Sequence, residues 1–135
     1  MTDEELMQMA MEARESAHAP YSSFKVGAAL ETLEGEIFRA ANVENASYGL
    51  SCCAERNAMF AAVSAGKRGF RRMAVVSSDS GISLRPCGAC LQVLWEFAPD
   101  MDLLLQGPGG RIERRKVRDL LPEGFTFDYA GENTT

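Results

Sequence analysis

The spacing of apolar positions along this chain changes period several times, and each change predicts an element. Leu6, Met9, Ala10, Ala13 and Ala17 recur at helical spacing behind Thr2 and Glu5, a pair able to form a capping box, and Pro20 ends the run. Val26 to Leu33 reads as a strand, Glu34-Gly35 as a turn, and Glu36 to Val43 as the returning strand of a hairpin. Asn45 to Ser51 reads as a loop, followed by a helix from near Cys53 to Gly66. Met73 to Ser78 is a short apolar strand, and Asp79-Ser80-Gly81 is a loop. A further helix spans about Cys87 to Ala98. Its Leu91, Val93, Leu94, Trp95, Phe97 and Ala98 leave little polar surface, which predicts burial, in part by another subunit. Met101 to Gln106 reads as a strand, Gly107-Pro108-Gly109-Gly110 as a turn, and Ile112 to Val117 as a weaker strand. Residues 118–122 suit one helical turn, and Glu132 to Thr135 reads as a polar tail. The order α-β-β-α-β-α-β-β predicts an α/β fold with one mixed sheet and helices packed on it. One domain is expected over 1–128, with the tail over 129–135.

Composition narrows the classes. The 135 residues are 46% hydrophobic and 24% charged, as in an ordinary globular domain. A net charge of −5 argues against broad nucleic-acid binding, which needs a basic surface. Arg111, Arg114, Arg115, Lys116 and Arg118 form a local basic cluster that reads as a solvated strand edge. No apolar run approaches the roughly 20 residues of a membrane span. The acidic start, Met1-Thr2-Asp3-Glu4-Glu5, lacks the basic opening of a secretory signal. The expected location is cytoplasmic, where cysteines stay reduced and are read first as metal-binding or catalytic. With one histidine in the chain, zinc sites built on two or more are excluded.

The chemistry lies in Cys53-Ala54-Glu55 and in Pro86-Cys87-Gly88-Ala89-Cys90. Three cysteines can hold zinc with its fourth position open, as in a catalytic site. Glu55 falls in the first turn of a helix, near such a metal without being forced to bind it. Both motifs enter predicted helices, so two helix N-termini, each carrying about half a positive charge, face the thiolates. Arg56 adds charge-assisted hydrogen bonds to sulfur. Blander readings stand beside this one. Cys87 and Cys90 alone can be a redox dithiol, although Arg85-Pro86 precedes them where a thioredoxin-type motif has tryptophan. A structural zinc would need Cys52 or His18 as fourth ligand; Cys52 otherwise reads as a small buried hydrophobe. Glu55 can be an exposed partner of Arg56, and Asn42 with Glu44 a polar pair at a strand end.

From Ala19-Pro20-Tyr21-Ser22 to Phe125 the chain resembles the small, homotetrameric cytidine deaminases. The resemblance rests on Phe24-x-Val26-Gly27-Ala28-Ala29-Leu30, Asn42-Val43-Glu44-Asn45-Ala46, Cys53-Ala54-Glu55-Arg56, Pro86-Cys87-Gly88-Ala89-Cys90 and Leu120-Leu121-Pro122-x-x-Phe125. It implies a three-layer fold with a five-stranded mixed sheet and one zinc ion per subunit on Cys53, Cys87 and Cys90. The implied reaction is hydrolytic deamination of cytidine and 2′-deoxycytidine in pyrimidine salvage, with Glu55 as the proton carrier. By the same resemblance Asn42 and Glu44 hold the sugar hydroxyls, Phe24 packs on the base, and the Ala54 backbone reads the ring's polar edge. Tyr48 and Phe125 are expected to enter a neighbour's pocket in a homotetramer with composite sites; Phe125 also suits a core position. The chain departs from the family's pattern at Arg85, Leu91 and Gly49, and Arg85 is expected to restore the positive charge absent at position 91. The alternatives are a deaminase of a modified cytosine nucleoside, such as blasticidin S or an N4-substituted cytidine, and an inactive zinc domain that binds nucleosides or RNA.

Overall fold

The computed structural model describes residues 1–79 and 81–127. The boundary expected at 128 and the polar tail lie outside these residues. In chain order the elements are α1 (Asp3–Arg14), β1 (Val26–Thr32), β2 (Ile37–Ala41), α2 (Ala54–Ser64), β3 (Phe70–Ser77), α3 (Gly88–Phe97), β4 (Asp102–Gln106), β5 (Ile112–Lys116) and α4 (Val117–Leu120). A 3₁₀ turn, Tyr48–Leu50, precedes α2. The strands form one sheet in the order β2-β1-β3-β4-β5. Only β3 and β4 run parallel; the other three pairings are antiparallel.

Alternation along the strands divides the core in two. Ala28, Leu30, Met73, Val75, Leu103 and Leu105 pack with α2 and α3, whereas Ala29, Ala74, Val76 and Leu104 pack with α1. The result is the expected three-layer α/β architecture. The capping box forms: Thr2 Oγ1 accepts the Glu5 N–H at 3.1 Å, and Glu5 Oε1 accepts the Thr2 N–H at 2.8 Å. Gly27 lets α1 lie against β1, because a Cβ there would stand 2.0 Å from the Ala10 carbonyl oxygen.

The differences from the sequence reading lie mostly at element ends. Helix α1 stops at Arg14 rather than near Pro20, since His18 leaves the helix to pair with the strand side. His18 N–H donates to Asn42 O at 3.0 Å, and Glu44 N–H donates to His18 O at 2.8 Å. Val43, expected at the end of β2, instead bridges His18 on one side and Cys52 on the other. In this single chain α3 buries only Cys90, Leu91 and Leu94 fully. The basic cluster runs from just before the edge strand β5 to just after it, where Arg114 and Lys116 pair with Asp102 and Arg118 with Asp100.

One ion-pair knot fastens α1 to the sheet. Arg72 on β3 is 12% exposed and binds both Glu31 of β1, 9% exposed, and Asp3 of α1. Removing one partner of a buried pair leaves an uncompensated charge and costs about 3 kcal/mol or more. Arg72→Met is therefore expected to lower stability by about 3 kcal/mol in urea titrations at fixed protein concentration, and adding Glu31→Gln to recover part of the loss. An unchanged urea midpoint for Arg72→Met contradicts this role.

Candidate active site

Apart from Phe125, which follows α4, the residues singled out in the sequence come from four places at one end of the sheet: the chain entering β1, the segment after β2, the N-terminus of α2, and the chain entering α3 with its first turn. Register explains the meeting. Val26 opens β1 opposite Ser77, the last residue of β3, and Gly27 pairs with Ala41, the last of β2. Chain leaving β2 and β3 thus emerges beside chain entering β1.

Cys53 is the N-cap of α2 and Cys87 the N-cap of α3. Both sulfurs therefore sit at helix ends whose first N–H groups lack backbone partners. Cys90, fully buried, lies one turn into α3. The three Sγ atoms stand within 4.8 Å of one another, and Cys87 and Cys90 are 3.5 Å apart. Four ligands about 2.3 Å from a tetrahedral zinc stand about 3.8 Å from each other. The cluster matches that size, and its donors suit zinc.

The electrostatics favour a thiolate at Cys53. A hydrogen bond from the Cys90 thiol, then the Arg56 guanidinium, holds the Cys53 thiol well below its ordinary range. Cys90 is pushed up in return, chiefly by the same contact and by burial. Arg56 Nη2 lies 3.6 Å from Cys53 Sγ, while its buried Nε finds no partner. Cys52, adjacent in sequence, is half-buried, and burial pushes its thiol up. It stands outside the sulfur cluster and lines a neighbouring hollow.

Glu55 is buried, and loss of solvent pushes its carboxyl up to about 7. It shares a cavity of about 190 Å³ with Phe24, Asn42, Cys53, Arg85 and Cys87. An adjoining hollow of about 130 Å³ is lined by Asn42, Glu44 and Cys53 among others. A larger groove, about 270 Å³, lies between α1 and β2 around Glu12 and Arg39, and neither Glu55 nor any cysteine lines it. Volume alone does not mark the site; chemistry does.

Asn42 and Glu44 are held firmly. Asn42 Oδ1 accepts the Val26 N–H at 2.8 Å, and its Nδ2 donates to Phe24 O at 2.8 Å. The Glu44 carboxylate accepts the Ser22 hydroxyl, the Tyr21 N–H at 3.0 Å and the Ser22 N–H at 3.2 Å. The Ser22 hydroxyl leads in keeping Glu44 below the usual carboxylate range. Ala54 is the first, fully buried residue of α2. Tyr48 is 76% exposed and meets Tyr21 edge-on, and Phe125 is 69% exposed with its backbone held by Gln92. Neither Tyr48 nor Phe125 lines this chain's own cavity.

Sequence reasoning missed the roles of four residues. Val26 and Leu84 line the cavity, and Ser22 with Tyr21 orders Glu44. Arg85 also lines the cavity, but its guanidinium pairs with Glu113 of β5 at 2.7 Å rather than with sulfur. Leu84 directly before Arg85-Pro86-Cys87 was the available signal for a wall there.

Comparison with known proteins agrees with this geometry. The family model "Cytidine and deoxycytidylate deaminase zinc-binding region" matches residues 1–103. A cytidine deaminase of Halalkalibacterium halodurans is 48% identical over 124 residues, covering 91% of this chain and 93% of that protein. A blasticidin-S deaminase of Bacillus cereus is 32% identical over 108 residues, 75% of this chain and 76% of that one. The crystal structure of cytidine deaminase from Burkholderia pseudomallei superposes with a TM-score of 0.88 at 48% identity, covering 93% of this chain and all of that one. On its three-sulfur cluster, its mixed five-stranded sheet and this kinship over most of its length, the chain belongs to the zinc-binding cytidine and deoxycytidylate deaminase family.

Proposed function

We propose that this protein hydrolyses cytidine and 2′-deoxycytidine to uridine and 2′-deoxyuridine, releasing ammonia. The observation that carries the reading is one buried carboxylate, Glu55, sharing a cavity with a three-thiol cluster fit for zinc. Cys53, Cys87 and Cys90 would hold the ion. Zinc bound there supplies Lewis acidity that makes water nucleophilic near neutral pH.

The remaining work falls to protein groups. Glu55 accepts a proton from the attacking water as its oxygen bonds to C4 of the cytosine ring. It passes that proton to ring N3, takes the second proton of the added water, and delivers it to the amine, which leaves as ammonia. A carboxyl pushed up to about 7 by burial suits both directions of transfer. Phe24 supplies an apolar face for the base, the Ala54 N–H a donor for the ring's polar edge, and Asn42 with Glu44 acceptors for sugar hydroxyls. Arg56 and the two helix N-termini draw electron density from the thiolates, which keeps the metal acidic.

The reading extends to a homotetramer with composite sites, in which Tyr48 and Phe125 complete a neighbour's cavity. It is supported by the exposure of Tyr48, Leu50 and Phe125, large apolar side chains that a monomer gains nothing by displaying. A cytoplasmic role in pyrimidine salvage belongs to the same proposal. Deamination of blasticidin S is the second reading, favoured by the kinship with the Bacillus cereus enzyme. The Asn42–Glu44 pair, suited to an ordinary ribose, favours cytidine.

Glu55→Gln is expected to retain fold and one zinc per chain while losing at least about 10²-fold in kcat, read by ultraviolet loss of cytidine and by ammonia release. Near-normal turnover in that variant defeats the mechanism. Cys53→Ala is expected to lose stoichiometric zinc by elemental analysis; full retention reassigns the ligand set. Sedimentation equilibrium at micromolar concentration is expected to return the mass of four chains, and a monomer removes the composite site.

A further inference from the structure

The segment between β3 and α3 carries Leu84 and Arg85 into the cavity wall and then enters Cys87. Its described residues form no helix or strand, so its place depends on what ties it down. Several of its ties converge on one residue, beside those from Lys25 to Ser78, between Ser77 and Asp79, and from Arg85 to Glu113. Gln106, the last residue of β4, is 5% exposed and lies outside the residues that line the cavity. Its Oε1 accepts the Ser77 N–H at 2.9 Å. Its Nε2 donates to Asp79 O at 2.6 Å and Ile82 O at 3.1 Å, and lies 3.4 Å from Ser77 Oγ. Its backbone oxygen accepts the Leu84 N–H at 2.9 Å. One carboxamide thus joins the Ser77 end of β3 to Asp79 and Ile82, and only a group with an acceptor and two donors can do so.

We propose that Gln106 is a positioning residue for the substrate cavity: its carboxamide ties Asp79 and Ile82 to the end of β3 and so supports the wall formed by Leu84 and Arg85. The inference rests on reading this cavity as the nucleoside site. Glu55, Cys53 and Cys90 stand on or at the ends of α2 and α3, whose packing on the sheet does not pass through Gln106. Loss of the carboxamide therefore loosens the path from β3 to the wall, while the Leu84 N–H bond to the Gln106 backbone oxygen and the Arg85–Glu113 pair remain, and it leaves the reacting groups in place. A wall correctly placed only part of the time lowers apparent affinity by that fraction. Substrate binding weakens while the chemical step holds, so KM rises and kcat does not fall with it.

Two variants test this. Gln106→Met keeps length without hydrogen bonding, and Gln106→Glu keeps shape and acceptor but, ionised, cannot donate. For both, kcat and KM for cytidine are measured with zinc content and amide hydrogen exchange of residues 81–85. The expected result is wild-type zinc, kcat within about threefold, KM raised about tenfold, and faster exchange in the segment. A wild-type KM in either zinc-loaded variant overturns the proposal, as does a fall in kcat and zinc with KM unchanged. If neither variant folds, Gln106→Asn decides, because it keeps a carboxamide but, one methylene shorter, draws it away from Asp79 O and Ile82 O. A KM raised about threefold supports the proposal, and an unchanged KM overturns it. If the wild-type protein leaves cytidine untouched, the functional reading fails on its own. Exchange in the variants then decides the tether: faster supports it, unaltered overturns it.

Discussion

Three sulfur atoms within 4.8 Å of one another impose the constraint on which the site depends. Two unit charges about 4 Å apart repel by about 4 kcal/mol at an effective dielectric constant near 20. Three ionised thiols give three such pairs, a total of about 12 kcal/mol, comparable with the whole stability of a domain. Without a cation the cluster resists this by sharing protons, with Cys53 driven down and Cys90 up. Two helix N-termini and Arg56 offset part of the repulsion; a dication removes it and turns it into attraction. The thiolate charge would draw zinc in, and the positive groups that ease the repulsion would keep it acidic enough to activate water.

The fold meets that constraint by bringing ends together. Helix α2 turns Ala54, Ala58 and Ala62 inward, all fully buried, so its axis lies close to the sheet and its N-cap reaches the sulfur partners on α3. Val43, bridged on both sides, sets Asn42 and Glu44 beside Cys53. The opposite layer does different work. There Gly27 admits α1 and Arg72 locks it with Glu31 and Asp3, so a large part of the stabilising ion pairing lies on the face away from the sulfur cluster.

Much of this was legible in the sequence. Elements were readable where pattern and punctuation agreed, as with the capping box at Thr2 and Glu5 or the short apolar run of β1 closed by Glu34-Gly35. Ends were read less well where a long-range partner decided them. No local signal says that His18 must leave its helix to bind Asn42 and Glu44 through the backbone. The sulfur cluster was legible because cysteines at those spacings have few other uses in a reduced chain. Arg85 was misread because its partner, Glu113, lies 28 residues away on an edge strand. Gln106 was read simply as the end of an apolar strand. That a polar residue closes such a run at the depth of the core was its signal, and only tertiary structure supplies its partners.

The central claim is that Cys53, Cys87 and Cys90 hold a zinc ion with one position left for water. X-ray absorption at the zinc edge of the purified protein tests it most directly. The account predicts three sulfur neighbours at about 2.3 Å and one oxygen at about 2.0 Å. Four sulfur neighbours, which would bring in Cys52 and close the site, would contradict it.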